Sequence, residues 1–558
     1  RWLLRKTEEF IRFSSTDHSH SRVIIFGAGA AGRALSIGLV QTQEFVLMAF
    51  VDDNVLLQGR DLMGVRILSQ EDLRIFLTVQ KVDDIMLAIP SITHKERNLI
   101  IERLRPFNLR VRTLPGLLDL ARGQVHYSNL QELEVNDLLA REPAEPDEKM
   151  LLDQVKNKKI MVTGAGGSIG SELCWQILRR KPKVLLLLEL NEFALYTLHN
   201  KLLDCLHHLT HEGFYSDDIE IAPSIIPLMG SVTDENRVSD IILTWQPDTI
   251  YHAAAVKHVP IVEQNVAECV KTNVLGTMVM AKVAIEREVE SFILISTDKA
   301  VNPTNAMGAS KRCCEMILQA LSFESTLSFE HFSGGIGSAQ VTLNTQFSID
   351  RFGNVLGSSG SVVPQFRKQI RQGGPITLTH QDIIRYFMTI PEAAQLVMQT
   401  GSMAGVGSQG ISAVRRQRSI KSAEVYVLDM GEPVKIIDLA HRMVELSGFR
   451  VKDENTPEGD IAIEMVGLRP GEKLYEELLI GNNPQTTEHP RIMKANEKFL
   501  PWSQLQPMIT TLRIAAVNGD VLMIRSMLQQ LVPEYQPDQN VVDWVYKEQV
   551  AEAEKLGC

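Results

Sequence analysis

Two glycine-rich turns, each placed between a buried strand and a helix, constrain the fold of this chain more than any other feature. The first follows the apolar run 22–26 and reads Gly-Ala-Gly-Ala-Ala-Gly over residues 27–32; the second follows residues 159–163 and reads Gly-Ala-Gly-Gly-Ser-Ile-Gly over residues 164–170. This order of elements is typical of dinucleotide-binding units, where the backbone passes close to a pyrophosphate at a helix N-terminus. The sequence therefore predicts an α/β protein with two Rossmann-like, doubly wound parallel-sheet domains.

The first unit carries a second strand over residues 45–51 that ends in Asp52 and Asp53, and further strand-like runs follow at 84–88 and 109–113. An acid about 20 residues beyond the glycines is where a dinucleotide-binding unit places its ribose ligand. One glycine turn alone is a weak signal, however. This unit is predicted either to hold a nucleotide or to be an inherited fold with an empty or regulatory site.

The length of 558 residues exceeds what one hydrophobic core normally supports, so two or three domains are expected. A polar, proline-bearing stretch at 141–150 is predicted to be a linker. We therefore expect an N-terminal flank at 1–20, an N-terminal Rossmann-like domain at 21–140, and a catalytic domain at 151–558. The last would be an extended short-chain dehydrogenase with a smaller C-terminal substrate-binding part.

The formal net charge of -11 argues against a nucleic-acid binder that works through a general basic surface. The six cysteines are scattered without C-x-x-C or Cys/His ligand spacing, so neither a metal site nor a disulfide framework is predicted, and a reducing compartment fits best. No stretch approaches the length of a spanning apolar helix. The chain starts at Arg1, and we hypothesise that Arg1, Arg5 and Lys6 flank a membrane segment upstream; an arbitrary boundary is equally compatible.

The second glycine turn is followed by strand 184–188, which ends at Glu189. A carboxylate there accepts hydrogen bonds from both ribose hydroxyls and repels a 2′-phosphate, which favours NAD over NADP. The strand end at 230–234 and the segment 249–255, which ends in small residues, extend the predicted binding surface. The residues predicted from this pattern to contact the cofactor are Gly164, Gly167, Ser168, Ile169, Gly170, Glu189, Asp234, Ala253 and Ala254.

Residues 295–311 read Ile-Ser-Thr-Asp-Lys-Ala-Val-Asn-Pro-Thr-Asn-Ala-Met-Gly-Ala-Ser-Lys. This string resembles the large bacterial UDP-N-acetylglucosamine 4,6-dehydratases, extended short-chain dehydrogenases that serve glycan and polysaccharide biosynthesis. The string is highly specific, and the resemblance extends over nearly the whole chain. Further matching segments are 256–260, 272–277, 351–361, 385–389 and 469–474.

The resemblance implies a reaction without net redox change: oxidation at carbon 4 of the hexose, loss of water across carbons 5 and 6, and return of the hydride to carbon 6. Elimination needs a base and an acid. The resemblance implies that Lys299 is the base, Asp298 is the acid, and Thr297 binds the carbon 4 hydroxyl. These roles require burial to raise the pKa of Asp298 and to lower the pKa of Lys299.

Met307 stands where most members of the wider superfamily carry the tyrosine of a Tyr-x-x-x-Lys pair. Methionine has no proton to exchange, so the tyrosine's role must pass to another group. The large dehydratases share this replacement, which argues against a UDP-hexose epimerase; Met307 is alternatively plain core filling. Lys311, one turn later, is implied to hold the nicotinamide ribose.

Recognition of a nucleotide diphosphate needs backbone amides and bidentate arginines. By resemblance, Asn354, Arg385, Arg469 and Glu472 contact the uridine diphosphate. Lys257 and His258 are placed by the same resemblance on the sugar side.

The resemblance further implies a homo-oligomer with a membrane anchor upstream of Arg1, working at the cytoplasmic face of the bacterial inner membrane on a UDP-sugar, with no nucleic-acid partner. Segments 322–343 and 404–421 depart from the family pattern and are expected to be surface loops, an altered lid, or faults that impair activity. The alternatives to a dehydratase are therefore a UDP-hexose epimerase and a non-catalytic protein that binds NAD and a nucleotide sugar.

Overall fold

The computed structural model describes most of the chain, namely residues 20–42, 44–89, 92–113, 131–132, 144–215, 222–328, 340–406, 423–478, 484–537 and 540–556. Several predicted features lie outside these residues. They are the N-terminal flank up to residue 19, the start of the linker at 141–143, and residues 329–339 and 407–421 of the two departing segments.

The strands alternate with helices along most of the chain, as the two glycine turns predict. We number the strands in chain order. They are β1 Ser21–Phe26, β2 Phe45–Val51, β3 Asp61–Leu62, β4 Val65–Leu68, β5 Asp84–Leu87, β6 Arg110–Thr113, β7 Gln131–Glu132, β8 Lys159–Thr163, β9 Val184–Glu189, β10 Ser224–Met229, β11 Thr249–His252, β12 Ser291–Ile295, β13 Thr326–Ser328, β14 Gln340–Thr342, β15 Gln346–Arg351, β16 Asn354–Leu356, β17 Ile376–Leu378, β18 Ile384–Arg385, β19 Phe387–Thr389, β20 Glu424–Leu428, β21 Val434–Lys435, β22 Val451–Lys452, β23 Ile461–Met465, β24 Gln485–Thr486 and β25 Ile492–Ala495.

The α-helices are numbered in the same way, and short 3₁₀ turns at Arg105–Phe107 and Asp298–Ala300 and a π-helical turn at Val270–Leu275 accompany them. The α-helices are α1 Ala30–Thr42, α2 Gln70–Val79, α3 His94–Leu104, α4 Glu148–Val155, α5 Ser168–Leu178, α6 Glu192–His211, α7 Glu235–Trp245, α8 Val259–Glu263, α9 Val266–Cys269, α10 Gly276–Glu286, α11 Ala306–Ser322, α12 Val362–Arg371, α13 Ile390–Val406, α14 Ile436–Leu446, α15 Trp502–Asn518, α16 Val521–Leu531 and α17 Trp544–Leu556.

The chain divides into two compact units. The first comprises Arg1–Glu142, Gln365–Leu378 and Ile437–Glu464, and the second comprises Pro143–Pro364, Thr379–Ile436 and Met465–Cys558. The first unit thus includes two segments that the sequence analysis placed in the catalytic domain. Its main sheet has the order β3-β4-β2-β1-β5-β6-β7, with antiparallel pairing only at the two edges.

The second unit is built on a nine-stranded sheet of order β10-β9-β8-β11-β12-β15-β20-β25-β24. The seven strands from β10 to β20 are parallel, and β25 and β24 add antiparallel strands at one edge. The order of the parallel strands, with the first strand central and the direction of winding reversed beside it, is that of a doubly wound fold. The predicted fold class is confirmed in both units.

Both faces of this parallel sheet are covered, which explains why its strands are continuous apolar runs rather than alternating ones. Strand β9, with the sequence Val-Leu-Leu-Leu-Leu-Glu, is buried along its first five residues. Helices α10 and α11 pack on one face, and α5 and α13 pack on the other. Among the described residues, none of the helices is both long and apolar enough to cross a membrane.

A doubly wound sheet places ligands beyond the carboxyl ends of its strands, at the point where the strand order reverses. In this unit the reversal falls between β8 and β11. The glycine turn follows β8, and the string 295–311 begins at the end of β12, two strands away. The fold therefore brings two of the predicted sequence motifs to the same edge of the sheet.

Candidate active site

The glycine turn after β8 is a tight passage in which side chains do not fit. Gly164 has a φ of +62°, and an added Cβ would lie 2.7 Å from the backbone nitrogen of Ala254. A Cβ on Gly170 would lie 2.1 Å from the carbonyl oxygen of Gly164. Helix α5 begins at Ser168, within this turn, so the N–H groups of its first turn are available to a phosphate.

The two acids predicted to contact the cofactor both accept hydrogen bonds from backbone amides. Glu189 Oε2 accepts a hydrogen bond from the amide of Gly166 at 2.9 Å, and its Oε1 accepts from the amides of Leu190 and Asn191 at 2.9 Å each. Asp234 caps helix α7 by accepting from the amide of Arg237. Glu189 thus supports the glycine turn directly, and its contact with a ribose remains a prediction.

Where the segment 295–311 leaves the sheet, two backbone hydrogen bonds connect it to the neighbouring strand β15 and the residue that follows it. The amide of Ser296 donates to the carbonyl of Asp350 at 2.7 Å, and the amide of Asp298 donates to that of Phe352 at 3.1 Å. The hydroxyl of Ser296 also donates to the buried carboxylate of Glu315 on α11 at 2.6 Å. Thr297 then caps the 3₁₀ turn that carries Asp298 and Lys299.

Asp298 and Lys299 form a close ion pair at the end of β12. Asp298 is only 2% exposed, and its Oδ1 accepts from the hydroxyl of Thr297 at 2.8 Å and from Lys299 Nζ at 3.1 Å. Lys299 Nζ also donates to Asn354 Oδ1 at 3.0 Å and lies 2.9 Å from Glu476 Oε1. Two other predicted site residues, Asp298 and Asn354, and one unpredicted acid, Glu476, therefore share the ammonium group of Lys299.

This pairing overturns the expected pKa shifts. Burial alone raises the pKa of Asp298, but the positive charge of Lys299 and hydrogen bonds from its neighbours bring that pKa below its usual value. Burial likewise lowers the pKa of Lys299, yet the charges of Asp298 and Glu476 raise it overall. The expected directions of both pKa shifts are therefore wrong, because each group stabilises the charged form of the other.

Helix α11 carries the two remaining residues predicted to be catalytic. Met307 is 3% exposed and belongs to the core between the sheet and α10. Lys311 is 6% exposed, its Nζ donates to the carbonyl oxygen of Ile295 at 2.9 Å, and burial lowers its pKa. Core packing of Met307 is therefore observed, while Lys311 lies against the strand end that leads into Thr297.

Arg385 and Glu472, both predicted to bind substrate, meet beside Lys299. Arg385 Nη2 lies 3.5 Å from Glu472 Oε1, and its Nε lies 3.1 Å from Glu476 Oε1. The hydroxyl of Thr379 donates to the same Glu472 oxygen at 3.1 Å. The guanidinium is thereby fixed by two carboxylates and by the carbonyl of Lys473, at 2.8 Å from Nη2.

A pocket of about 160 Å³ lies beside this arginine. Arg469 lines it, whereas Lys257, His258 and Asn354 are not among its lining residues. Partial burial and the nearby charge of Lys299 lower the pKa of Lys257. The lining residues are Val259, Pro260, Lys299, Asn305, Arg385, Arg469, Pro470, Gly471, Glu472, Lys473 and Glu476.

Glu476 is the residue of this site that sequence reasoning missed. It is 8% exposed, and its carboxylate contacts both Lys299 and Arg385. Burial raises its pKa to about 7, and the negative charge of Asp298 acts in the same direction. Glu476 lies two residues beyond the matched segment 469–474, and this proximity was a signal. Nothing in the sequence, however, linked Glu476 to Asp298.

His252 has a purely structural environment. Its Nδ1 lies 2.8 Å from the hydroxyl of Thr163 and its Nε2 lies 3.1 Å from that of Thr277, so both ring nitrogens are paired. Burial, assisted by the charge of Lys311, lowers its pKa to about 3. Within the described part of the chain, no group of three or more His, Cys, Asp or Glu residues is arranged to hold a metal ion.

Comparison with known proteins agrees with this architecture. The chain is 39% identical to the capsular polysaccharide biosynthesis protein CapD of Staphylococcus aureus, over 82% of this chain and 68% of that protein. It is 37% identical to the probable polysaccharide biosynthesis protein EpsC of Bacillus subtilis, over 83% and 69%. A UDP-N-acetylglucosamine 4,6-dehydratase (inverting) of Campylobacter jejuni is 27% identical over 59% of this chain and 80% of that protein.

The doubly wound sheet and the glycine turn after its first strand define a protein of the doubly wound, dinucleotide-binding α/β class. The model of the polysaccharide biosynthesis protein family matches residues 160–497. The chain belongs to that family, which confirms the family resemblance seen in its sequence.

Proposed function

We propose that the protein is an NAD-dependent UDP-N-acetylglucosamine 4,6-dehydratase that forms a UDP-4-keto-6-deoxy-hexosamine for glycan or polysaccharide biosynthesis. The observation that carries this proposal is the close group of Thr297, Asp298 and Lys299 at the end of β12, with a methionine at the tyrosine position. The named activity of the Campylobacter relative supports the substrate class.

The residues present fit NAD. Gly164 and Gly170 leave a passage that a single Cβ would close, and the N-terminus of α5 faces it. When bound, NAD would store the carbon 4 hydride until it returns to carbon 6. In this proposal the amides of the glycine turn and of α5 hold the pyrophosphate, Glu189 holds the adenosine ribose and Lys311 holds the nicotinamide ribose.

The remaining steps are proton transfers by side chains of this chain. Thr297 orients the carbon 4 hydroxyl, and as the hydride leaves carbon 4 the hydroxyl proton passes through the Thr297 hydroxyl to Asp298 Oδ1, 2.8 Å away. The ketone formed there acidifies the carbon 5 proton. Lys299 removes that proton while Asp298 protonates the carbon 6 hydroxyl, which leaves as water. After this step Lys299 is positively charged and Asp298 is negatively charged. In this proposal Lys299 then returns its proton to carbon 5 as the hydride reaches carbon 6, which completes the 4-keto-6-deoxy product and leaves Lys299 neutral again.

Arg385 and Arg469 are proposed to bind the diphosphate, because guanidinium groups match phosphate oxygens in bidentate geometry. Arg385 is already oriented by Glu472 and Glu476 beside the pocket. Asn354, held by Lys299, is proposed to contact the uridine diphosphate as well. Lys257 and His258 are proposed to approach the sugar.

The direct test is incubation of the purified protein with NAD and UDP-N-acetylglucosamine, followed by mass spectrometry of the nucleotide sugar. Loss of one water mass supports the dehydratase. An isomer of unchanged mass indicates an epimerase, and binding without any product indicates a non-catalytic protein. The epimerase is disfavoured because Met307 offers no proton and lies in the core.

Self-association, an anchor upstream of Arg1 and action at the cytoplasmic face of the bacterial inner membrane remain proposals that follow from the family resemblance. Sedimentation of the purified chain and membrane fractionation of the natural protein in its own cells would test them. A monomer at working concentration, or recovery only in the soluble fraction, would contradict them.

A further inference from the structure

Lys299 Nζ faces two carboxylates, one from its own turn and one from a distant segment of the chain. Asp298 Oδ1 lies 3.1 Å from Nζ, and Oε1 of the buried Glu476 lies 2.9 Å from it. The same Glu476 oxygen lies 3.1 Å from Arg385 Nε, so Arg385 holds the carboxylate in place against Lys299. Lys299, Arg385 and Glu476 all line the pocket.

The two carboxylates differ in charge during the proposed turnover. The carbon 4 hydroxyl proton passes to Asp298 in the oxidation step, so Asp298 is neutral when Lys299 removes the proton from carbon 5. In the described part of the chain, the carboxylates in ion-pair contact with Lys299 Nζ are those of Asp298 and Glu476. Of these two, Glu476 is the one that can oppose the positive charge developing on Lys299 at that moment.

We infer that Glu476 is a positioning residue that supplies the negative charge beside Lys299 during elimination, while Asp298 is neutral. This inference rests on the proposed dehydratase function. A fixed charge beside a group that becomes charged in the transition state lowers the barrier of that step, because no reorganisation is needed at the moment of reaction. Glu476 acts through Lys299 rather than on the sugar.

The proton balance of the turnover closes without any proton on Glu476. Asp298 receives the carbon 4 hydroxyl proton and passes it to the carbon 6 hydroxyl, which leaves as water with the electrons of its bond to carbon 6. Lys299 takes the carbon 5 proton, and the electrons of that bond form the double bond between carbons 5 and 6. Lys299 then returns its proton to carbon 5 as the hydride reaches carbon 6. Asp298 ends ionised and Lys299 ends neutral, as they began.

The contact with Glu476 also affects the pH at which Lys299 becomes a base. Burial lowers the pKa of Lys299, but the charges of Asp298 and Glu476 together raise it above its usual value. The other charged groups around this cluster are Arg385 on β18, Lys257 before α8 and Lys473 on the segment of Glu476. Lys299 must be neutral to accept the carbon 5 proton, so kcat/KM should rise with pH through this pKa. Removal of the Glu476 charge should move that rise to lower pH.

The ionisation of Glu476 depends on Asp298 in the direction that this role requires. Burial raises the pKa of Glu476 to about 7, and the negative charge of Asp298 contributes to the rise. Protonation of Asp298 removes that contribution. Glu476 therefore ionises more readily at the stage at which Asp298 has become neutral and Lys299 needs a counter-charge.

The first experiment is independent of dehydration. The Lys299 side chain is 21% exposed, so acetic anhydride can reach its amine, which reacts in the neutral form. Acetylation over a range of pH, followed by mass spectrometry of the peptide that contains Lys299, reports its pKa in the wild-type protein and in E476Q. Lys299 of E476Q should react at lower pH than that of the wild type. An identical pH dependence in the two proteins would overturn the inference.

The second experiment measures dehydration of UDP-N-acetylglucosamine that carries hydrogen or deuterium at carbon 5. Glutamine at 476 keeps an oxygen that accepts from Arg385 but loses the charge, so kcat should drop by about 10²-fold with KM little changed. The deuterium isotope effect should grow, because removal of the carbon 5 proton becomes the slow step. Glu477 is half-exposed, pairs with Lys473 and accepts from Asn302, so the control E477Q should match the wild type.

The outcomes separate the two proposals. Should E476Q fail to fold, E476D keeps the charge but withdraws it from Lys299 by one methylene, and kcat should again fall with a larger isotope effect. If the wild-type protein removes no water from the substrate, the dehydratase function fails, while acetylation still decides whether Glu476 holds Lys299 in its charged form. If the wild-type protein dehydrates the substrate and E476Q has the same kcat, isotope effect and pH profile, the role of Glu476 is wrong and the function stands.

Discussion

Lys311 Nζ donates to the carbonyl oxygen of Ile295, the last residue of β12, across a distance of 2.9 Å. This contact fastens helix α11 to the strand end from which Thr297, Asp298 and Lys299 extend. Lys311 is also the residue that the family resemblance assigns to the nicotinamide ribose. One side chain thus links the proposed cofactor position to the proposed proton-transfer group.

Replacing Lys311 with methionine should separate these two roles. Burial lowers the pKa of Lys311, and an apolar side chain of similar length replaces a buried charge at little cost to stability. We expect K311M to unfold at nearly the wild-type temperature but to lose NAD affinity and oxidation at carbon 4. Thermal unfolding and NADH absorbance after substrate addition measure these effects. Wild-type oxidation in K311M would rule out the assignment.

Sequence patterns predicted the scaffold well because they are local. The runs 45–51 and 159–163 form β2 and β8 at the predicted bounds. A buried parallel strand is a short apolar stretch, so it can be recognised from its own residues alone. The antiparallel edge strands, such as β25, are short and carry no comparable signal. The local sequence pattern likewise did not indicate that residues 365–378 and 437–464 belong to the first unit.

The sequence named several residues that the structure brings together, such as Asp298, Lys299 and Arg385, but it did not predict their charges. The string 295–311 placed Asp298 and Lys299 correctly at a strand end, yet the direction of each pKa shift depends on partners distant in sequence. Glu476 is one such partner, and the ion pair itself outweighs burial. A desolvation argument from sequence considers one residue at a time, whereas the structure brings three titratable groups within hydrogen-bond distance.

Met307 is predicted to contribute packing and no proton transfer. Leucine has a similar volume, so M307L should cost less than about 1.5 kcal/mol of stability and keep its dehydration rate. Tyrosine at this nearly fully buried position overfills the core, and M307Y should cost about 1–3 kcal/mol without a gain in activity. Denaturant unfolding and water-loss assays test both. Loss of turnover in a folded M307L would show that the thioether has a chemical role.

Lys299→Ala should abolish elimination while NAD remains bound, because the base is removed and the glycine turn is untouched. It also leaves Asp298 and Glu476 sharing a buried site without their common cation. The pKa of Asp298 should then rise, because the positive charge of Lys299 is the main effect that lowers it. Turnover and retained NAD absorbance after gel filtration are the measurements. Dehydration by K299A at the wild-type rate would overturn the base assignment.

Gly164→Ala tests the turn, with Gly213→Ala as its control. Both glycines have positive φ, +62° and +73°, so each variant should bear a left-handed backbone cost of about 1–2 kcal/mol. Only Gly164 also has backbone within 2.7 Å of the added Cβ, whereas nothing lies within 4 Å at Gly213. G164A should therefore lose NAD binding by isothermal titration and be the less stable variant. Equal NAD affinity and equal stability of the two variants would show that the short distance between Gly164 and the backbone of Ala254 has no effect.

Asp350 should make the fold less stable as pH rises. It is fully buried on β15, its Oδ2 accepts from the hydroxyl of Thr400 at 2.9 Å, and burial raises its pKa well above 3.8. Below pH 3.8 the acid is protonated in the folded and unfolded chains, so it contributes nothing to the pH dependence. Above that value the unfolded chain ionises while the folded chain keeps its proton, and stability declines until the folded pKa is reached.

Asparagine cannot ionise, so D350N should escape this decline. The advantage of D350N over the wild type in unfolding temperature should grow from pH 4 toward neutral pH. Thr400→Val offers a second check, because the Thr400 hydrogen bond lowers the Asp350 pKa and its removal should extend the decline to higher pH. Thermal unfolding across this pH range measures all three proteins. A temperature difference between D350N and the wild type that stays constant with pH would show that Asp350 ionises alike in both states.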